Sequence, residues 1–319
     1  MHSFLERPKC PVCSVGRTRE LFVADLATGD VGDYLARVYG RHHADELRGH
    51  TYRLDECTEC STVFQHYVGD AAFLGALYDD WLNTPENRAL AEATPHDASG
   101  ASRDANELIW ASRTLQKPLP DLRTLDYGMG WGSWARIAKA LGCASHGFDL
   151  SRQRMEAAEA HGVRVVDEHH LPAGYFDFIN TEQVFEHVPE PLELARRLSA
   201  ALAPGGILKV SVPNGSDIRT RLAAPDWRCP DDSPRSLNAV APLEHVNCFS
   251  KRAIATMGTA VGLTVEPERI LPQYSFVTQP RALRFSSPKA ALKELLRPWY
   301  RFRNRHTLYV WLRAHIHAD

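Results

Sequence analysis

Apolar stretches typical of buried strands alternate with stretches of helical periodicity through the middle of the chain. The short segment from Leu122 to Leu125, which Asp126 closes, is predicted to be a strand. After a turn rich in glycine, apolar positions recur on one face of a predicted helix, at Trp134, Ile137, Ala138 and Leu141. Further predicted strands and helices follow in alternation. This order predicts an α/β fold with a doubly wound, mostly parallel sheet.

The turn after the first strand reads Asp126-Tyr127-Gly128-Met129-Gly130-Trp131-Gly132. Glycine lets the backbone approach a ligand where a Cβ would collide, and the next helix, with Ser133 as its predicted N-cap, offers free N–H groups. Asp149 ends the second strand, where a carboxylate can bind ribose hydroxyls. Ser133 stands where the G-x-G-x-x-G pattern of dinucleotide binders has its last glycine. The acid before the first glycine favours a ligand with a positive amino or sulfonium group.

Five segments in order resemble class I S-adenosylmethionine-dependent methyltransferases over roughly residues 105–275. These segments are the glycine turn, Asp149, Val165–Glu168, Phe176–Asn180 followed by Val184–Pro189, and Leu202–Leu208. The resemblance implies a seven-stranded sheet and S-adenosylmethionine as cofactor. It also implies that the cofactor contacts Asp126, Gly128 and Gly130 at its amino-acid end, Asp149 at the ribose, Asp167 at the adenine amino group, and Gln183 along the near wall.

Two C-x2-C pairs, Cys10 with Cys13 and Cys57 with Cys60, stand near the beginning of the chain. Four thiolates in two such pairs can surround zinc tetrahedrally, so we expect a structural zinc in a module similar to a zinc ribbon. A redox pair or metal-free cysteines are the alternatives. The remaining cysteines, at positions 143, 229 and 248, are predicted to be buried or incidental thiols.

The wider chain plan resembles a bacterial subfamily of zinc-knuckle methyltransferases that often act on sugars, saccharide chains or other secondary metabolites. The four paired cysteines match its knuckles, Glu186–Pro189 its motif after the fourth strand, and Trp227 with Pro242–Ser250 its late substrate-side motif. This resemblance implies a small-molecule or saccharide acceptor. It leaves open which acceptor is used and whether oxygen, nitrogen or carbon is methylated.

Two histidines are candidate general bases. An alcohol acceptor must lose its proton during methyl transfer, and histidine titrates near neutral pH. His187 follows the fourth strand, so we expect it at the edge of the sheet where open α/β sheets bind ligands. His245 comes from a later excursion and could face the same pocket. The neighbouring Glu186 could orient the histidines or bind a metal, and so could Glu244; a purely structural role stays possible for all four.

The chain is divided into four predicted segments. They are a zinc-knuckle module at 1–68, a helical cap at 69–118, the methyltransferase domain at 119–278 with a substrate-side excursion at 214–250, and a basic aromatic helical tail at 279–319. Two closing strands are expected within 263–278. The tail contains nine Lys/Arg and two Asp/Glu. It is predicted to pack on its own domain, to mediate self-association, or to contact a membrane surface.

The overall composition is that of an ordinary soluble protein, with a net charge of −2 and 44% hydrophobic residues. This charge argues against a broad nucleic-acid surface. The absence of a long apolar window and of a signal-peptide pattern predicts a cytoplasmic location with reduced cysteines. The alternative function is a zinc-ribbon adaptor that uses the basic tail on a membrane or nucleic acid.

Overall fold

The computed structural model describes residues 3–82, 98–231, 233–267 and 306–315, together with residues 288, 292 and 296. The chain forms two compact units. The first contains Met1–Pro95, Phe185–Leu194 and Val212–Ala260, and the second contains His96–Val184, Ala195–Ser211 and Val261–Asp319. Both units are assembled from separate segments of the chain, whereas the segments predicted from the sequence are contiguous.

Strands and helices alternate through most of the second unit, whereas the first unit contains runs of consecutive strands. The strands are β1 (Phe4–Glu6), β2 (Thr18–Asp25), β3 (Thr51–Cys57), β4 (Val63–Gln65), β5 (Tyr67–Gly69), β6 (Arg123–Tyr127), β7 (Ala144–Phe148), β8 (Arg164–Val165), β9 (Phe176–Glu182), β10 (Leu202–Pro213), β11 (Asn247–Cys248), β12 (Leu263–Val265) and β13 (Thr307–Ala314). The α-helices are α1 (Gly29–Val38), α2 (Arg41–Glu46), α3 (Ala71–Ala76), α4 (Ala98–Leu115), α5 (Ser133–Ala140), α6 (Arg152–Glu159), α7 (Pro191–Ala201), α8 (Ile218–Leu222) and α9 (Lys251–Ala260).

A seven-stranded sheet forms the centre of the second unit, in the order β12-β13-β10-β9-β6-β7-β8. The strands from β10 to β8 pair in parallel, and β12 pairs antiparallel with β13. Phe176, Phe178 and Ile179 of β9 are fully buried. Strands of a parallel sheet are covered on both faces, which explains their continuous apolar runs. The predicted fold, a doubly wound and mostly parallel sheet, is confirmed.

The end of the chain corrects two predictions. Among the described residues, the strand that pairs with β12 is β13, which lies beyond the predicted range of 263–278, and residues 307–314 of the predicted helical tail thus form a strand. The reason lies in their composition, because aromatic and β-branched residues favour strands. Trp311 is buried and packs 5.3 Å from the ring of Trp110. Most of the remaining tail, and residues 83–97 of the predicted cap, lie outside the described residues.

The first unit contains a four-stranded sheet in the order β11-β4-β3-β2 and the two-stranded pair β1-β5. One buried guanidinium, that of Arg7, joins its distant segments. It donates hydrogen bonds to the main-chain oxygens of Gln65, Pro189 and Val246 and to Oδ1 of Asn247. Burial lowers its pKa to about 10. This bonding explains why segments from residues 185 and 212 onward belong with the cysteine module.

Across the described residues, no helix combines the length and the apolar composition needed to cross a bilayer.

Candidate functional site

The glycine turn of the second unit follows β6 with three residues at positive φ: Gly128 at 75°, Gly130 at 55° and Gly132 at 73°. A Cβ on Gly128 would lie 2.5 Å from Cγ2 of Val184, whereas a Cβ on Gly130 would meet no atom within 4 Å. The first glycine is therefore required by packing, and the second leaves open space above the turn. Gly132 is the N-cap of α5, and Ser133, the predicted N-cap, is instead the first residue of the helix, which begins one residue earlier than predicted.

Asp149 joins the end of β7 to this turn. Its Oδ2 accepts a 2.8 Å hydrogen bond from the main-chain nitrogen of Gly130, and its Oδ1 accepts one of 2.9 Å from that of Ser151. The side chain is 9% exposed. Each carboxylate oxygen can accept more than one hydrogen bond, so both retain capacity for the hydroxyls of a ribose.

Asp126, at the end of β6, is buried and accepts a 2.7 Å hydrogen bond from Nδ2 of Asn180. Burial raises the pKa of this carboxyl to about 7, against the opposing effect of Asn180. A positively charged ligand group nearby would favour its ionised form. Asn180 was not predicted as a site residue. The available signal was a polar amide directly after the apolar pair Phe178-Ile179, near the end of strand β9.

The other two predicted cofactor residues follow neighbouring strands. Asp167 comes after β8 and pairs at 2.6 Å with Nδ1 of His170, a contact that lowers the pKa of the carboxyl. Gln183 comes directly after β9 and has a positive φ of 54°. Its main-chain nitrogen donates a hydrogen bond to the main-chain oxygen of Ser211. All six predicted cofactor residues thus end or follow adjacent parallel strands of one sheet. Ligands of open α/β sheets bind at this edge.

A buried ion network in the same unit was missed by the sequence analysis. Nζ of Lys209 lies 3.0 Å from Oε1 of Glu107 and 2.8 Å from Oε2 of Glu182. Nε1 of Trp134 donates a 3.1 Å hydrogen bond to the same Glu107. The carboxylates hold the pKa of Lys209 above its usual value, although burial opposes them. The network fixes Glu182 at the end of β9, directly before Gln183.

The predicted catalytic residues form a cluster in the first unit. Glu186, His187 and His245 each place a potential metal-ligand or proton-accepting atom within 4.8 Å of the others. Nδ1 of His187 lies 3.1 Å from the main-chain oxygen of Glu244. Nδ1 of His245 is hydrogen-bonded to the main-chain oxygen of Asn238. A carbonyl oxygen only accepts, so each Nδ1 donates. The lone pair of each ring is then on Nε2.

The environment of the cluster keeps both imidazoles neutral. Burial, with a smaller contribution from His245, lowers the pKa of His187 to about 3, and burial lowers that of His245 to about 4. Each is unprotonated at neutral pH, but its lowered pKa makes it a weaker proton acceptor than a free histidine, which corrects the expectation that these residues titrate near neutral pH. Two imidazoles and the buried carboxylate of Glu186 are also a ligand set that transition metals accept.

Two tyrosines support this cluster and were not predicted as site residues. The hydroxyl of Tyr78 lies 3.0 Å from Nδ1 of His187, and the hydroxyl of Tyr39 is hydrogen-bonded to the carboxyl of Glu244. Burial raises the pKa of that carboxyl. In the sequence both tyrosines belong to apolar helical patterns, which gave no sign of their polar contacts.

The four paired cysteines come together in the first unit with all four Sγ atoms within 4.8 Å of one another. The Sγ atoms of Cys10 and Cys60, and those of Cys13 and Cys57, are 3.5 Å apart and form no disulfide. Tetrahedral thiolates bound to zinc are separated by about 3.8 Å, given Zn–S distances of about 2.3 Å. The cluster is therefore compatible with a bound zinc.

Comparison with known proteins gives a family and a set of relatives. A family model described as a methyltransferase domain matches residues 98–268. A ubiquinone biosynthesis O-methyltransferase of Xanthomonas campestris pv. campestris (strain B100) is 32% identical over 116 residues, which cover 33% of this chain and 48% of the relative. The protein of the same name from Parvibaculum lavamentivorans (strain DS-1 / DSM 13023 / NCIMB 13966) is 31% identical over 157 residues, which cover 46% and 62%. The chain spans about half the length of the first of these relatives.

Two solved structures are similar to this chain. The 1,6-didemethyltoxoflavin-N1-methyltransferase of Burkholderia thailandensis, solved with 1,6-didemethyltoxoflavin and S-adenosylhomocysteine, has a TM-score of 0.46 at 16% identity and covers 82% of this chain and 98% of its own. An S-adenosylmethionine dependent methyltransferase from Mesorhizobium loti has a TM-score of 0.43 at 22% identity, and the match covers 64% of this chain and 95% of that protein.

Proposed function

The chain belongs to the family of methyltransferase domains, and from this premise we propose that it transfers the methyl group of S-adenosylmethionine to a hydroxyl of a small-molecule or saccharide acceptor. The observation that carries this proposal is the hydrogen bond between Gly130 and Asp149 at the edge of the parallel sheet. It unites the open glycine turn with a carboxylate suited to ribose hydroxyls. The names of the O-methyltransferase relatives support oxygen as the methylated atom.

Each predicted cofactor residue has a role in this proposal. Gly128 and Gly130 admit the amino-acid end of S-adenosylmethionine, where Asp126 favours its positive charge. Asp149 binds the ribose hydroxyls, and Asp167 the adenine amino group. Gln183, held at positive φ, lines the near wall. The cofactor supplies a methyl group on a sulfonium, and the leaving thioether needs no acid.

We assign the base to His187, with His245 as the second candidate. His187 is only partly buried, whereas His245 is 9% exposed, so His187 is the more accessible of the two residues. With S-adenosylmethionine bound, Nε2 of His187 would take the proton of the hydroxyl that receives the methyl group. Its Nδ1–H stays bonded to Glu244, which orients the ring. Glu186 lies beside both histidines and is assigned to stabilise the protonated ring.

Zinc is proposed as a structural ion at Cys10, Cys13, Cys57 and Cys60. Four thiolates fill a tetrahedral site completely, so the ion would stabilise the first unit without taking part in the reaction.

Calorimetric titration of the full chain with S-adenosylmethionine tests the proposal. We expect Asp149→Ala to weaken binding at least about tenfold, because the hydroxyls lose a charged acceptor. Glu159→Gln, an exposed change on α6, should bind like the unaltered chain. The proposal fails if the unaltered chain binds no S-adenosylmethionine at millimolar concentration.

A further inference from the structure

Glu182 is an acidic side chain at the ligand edge of the parallel sheet, and the predicted cofactor contacts do not include it. It is the last residue of β9 and directly precedes Gln183. Its side chain is 35% exposed, whereas its partner Lys209 and the second carboxylate on that lysine, Glu107, are 5% and 3% exposed. Of these three residues, Glu182 is therefore the one that a ligand can reach.

The strand register places Glu182 on the same face of the sheet as Asp126. Asn180 of β9 pairs with Asp126 of β6, and its Nδ2 donates a hydrogen bond to that carboxyl. Side chains two residues apart on a strand point to one face, so Glu182 follows Asn180 toward the carboxyl end of the strands. Asp126 is buried. Its charge acts from within the sheet, whereas Glu182 supplies an accessible carboxylate at the edge.

Glu182 is held in one position by its neighbours. Its Oε2 lies 2.8 Å from Nζ of Lys209, and its Oε1 accepts a 2.9 Å hydrogen bond from the hydroxyl of Ser211. Burial opposes ionisation of Glu182, but Lys209 overcomes this effect and holds the pKa of the carboxyl below its usual value. Each carboxylate oxygen can accept a further hydrogen bond. A carboxylate fixed in this way loses little conformational freedom when a ligand binds.

The charges that a ligand meets at this edge favour a cation beside Glu182. Lys209 neutralises part of the charge from inside the protein, but its ammonium group is buried and does not face the ligand. Arg103 is a cation with a side chain that is 36% exposed, and its Nε already pairs at 3.0 Å with Asp104. A ligand group that approaches Glu182 therefore meets an anionic oxygen.

The amino group of S-adenosylmethionine has the matching chemistry. A protonated amine carries three N–H donors and no acceptor, and a hydrogen bond between an ammonium and a carboxylate is among the strong ones. The sulfonium carries a charge but has no N–H to donate. A fixed carboxylate with free lone pairs is thus better suited to the amino group than to the sulfonium.

We propose that Glu182 binds the amino group of S-adenosylmethionine, as a second carboxylate beside Asp126. The inference rests on the proposed function, because it assigns a further residue to the same cofactor. Lys209 and Ser211 hold Glu182 in place for this contact.

Calorimetric titration of the full chain with S-adenosylhomocysteine and with its deaminated analogue, in which hydrogen replaces the amino group, tests the inference. Glu182→Gln should raise the dissociation constant of S-adenosylhomocysteine at least about tenfold, since a charged hydrogen bond is lost. The deaminated analogue should bind Glu182→Gln and the unaltered chain within about twofold of each other, because it lacks the group that Glu182 contacts. Glu156→Gln is the matched control, since Glu156 is 60% exposed and pairs with Arg152 in the same unit.

Ser211→Ala is a second variant that leaves every charge in place. It removes the 2.9 Å hydrogen bond that orients Glu182. We expect a smaller loss of S-adenosylhomocysteine affinity, roughly threefold, and no change for the deaminated analogue. This variant tests the same contact if Glu182→Gln fails to fold, which circular dichroism would show.

A loss confined to the ligand that carries the amino group supports the inference. Equal losses for both ligands would show a general effect on the shape of the site and would overturn it, as would unchanged binding of both. A loss of the same size in Glu156→Gln would also overturn it. S-adenosylmethionine is titrated in parallel. If the unaltered chain binds neither S-adenosylmethionine nor S-adenosylhomocysteine, the proposed function fails, whereas binding that Glu182→Gln leaves intact rejects only this inference.

Discussion

The main-chain nitrogen of Gly130 donates a hydrogen bond to Oδ2 of Asp149, across 2.8 Å. The bond closes the turn after β6 against the end of the neighbouring strand β7. A residue of the turn and the carboxylate proposed for the ribose are thus held at a fixed separation. A change at a glycine that packs against a neighbouring side chain should mainly affect stability. A change at a glycine with open space around it should mainly affect cofactor affinity.

We predict that alanine at Gly128 mainly lowers stability, whereas alanine at Gly130 mainly lowers the affinity for S-adenosylmethionine. Gly128→Ala should lower the free energy of unfolding by about 2 kcal/mol or more, since positive φ alone costs about 1–2 kcal/mol and its Cβ would also strike Val184. Gly130→Ala meets no such atom, so it should destabilise less while reducing S-adenosylmethionine affinity more. Denaturant unfolding and calorimetry provide the two measurements. Val184→Ala should partly restore the stability of Gly128→Ala, and no restoration would contradict the packing argument.

The chemistry of the histidine cluster predicts a split between binding and turnover. His187→Gln should reduce kcat by about 100-fold or more, the usual contribution of a general base, with little change in S-adenosylmethionine affinity. Tyr78→Phe should have a smaller effect, because Nδ1 of His187 retains its bond to Glu244. Single-turnover rates with an identified acceptor are the measurement. If His245→Gln abolishes turnover and His187→Gln does not, the base is His245.

The same cluster predicts a loss of stability in mild acid. An unfolded histidine takes up a proton below about pH 6.5. Folded His187 and His245 do so only near pH 3 and 4. Their neutral burial therefore stabilises the folded chain above pH 6.5, and this contribution is lost as the pH falls toward 4. Each histidine should contribute a slope of about 1.4 kcal/mol per pH unit.

Denaturant titrations between pH 7 and pH 4.5 measure this slope. His187 and His245 together contribute to the slope of the unfolding free energy against pH, and His245→Gln should remove about half of that contribution. His161→Gln, an exposed change in the second unit, should leave the slope unchanged. An unchanged slope in His245→Gln would show that the acid sensitivity arises from other groups.

Features formed by neighbouring residues were predictable from the sequence. The glycine turn, Asp149 and the two cysteine pairs are short patterns whose chemistry follows from their spacing. The pairing of Lys209 with Glu107 joins residues 102 apart, and no local pattern specifies it. Strand β13 was missed for a related reason: its apolar run from Leu308 to Leu312 is flanked by arginines, which suggested a basic aromatic helix. The bond from Tyr39 to Glu244 depends on packing between elements that the sequence leaves unplaced.

Metal content distinguishes the two groups of potential ligands in the first unit. We expect one zinc per chain by mass spectrometry, bound by the four cysteines. Cys57→Ser should remove this zinc and destabilise the first unit, because the site helps to hold β3 against the segment that carries Cys10 and Cys13. His187→Gln should leave the zinc content at one, since its imidazole is assigned to proton transfer. A second equivalent that disappears in His187→Gln, with the cysteine site intact, would instead place a metal at Glu186, His187 and His245 and would contradict the base assignment.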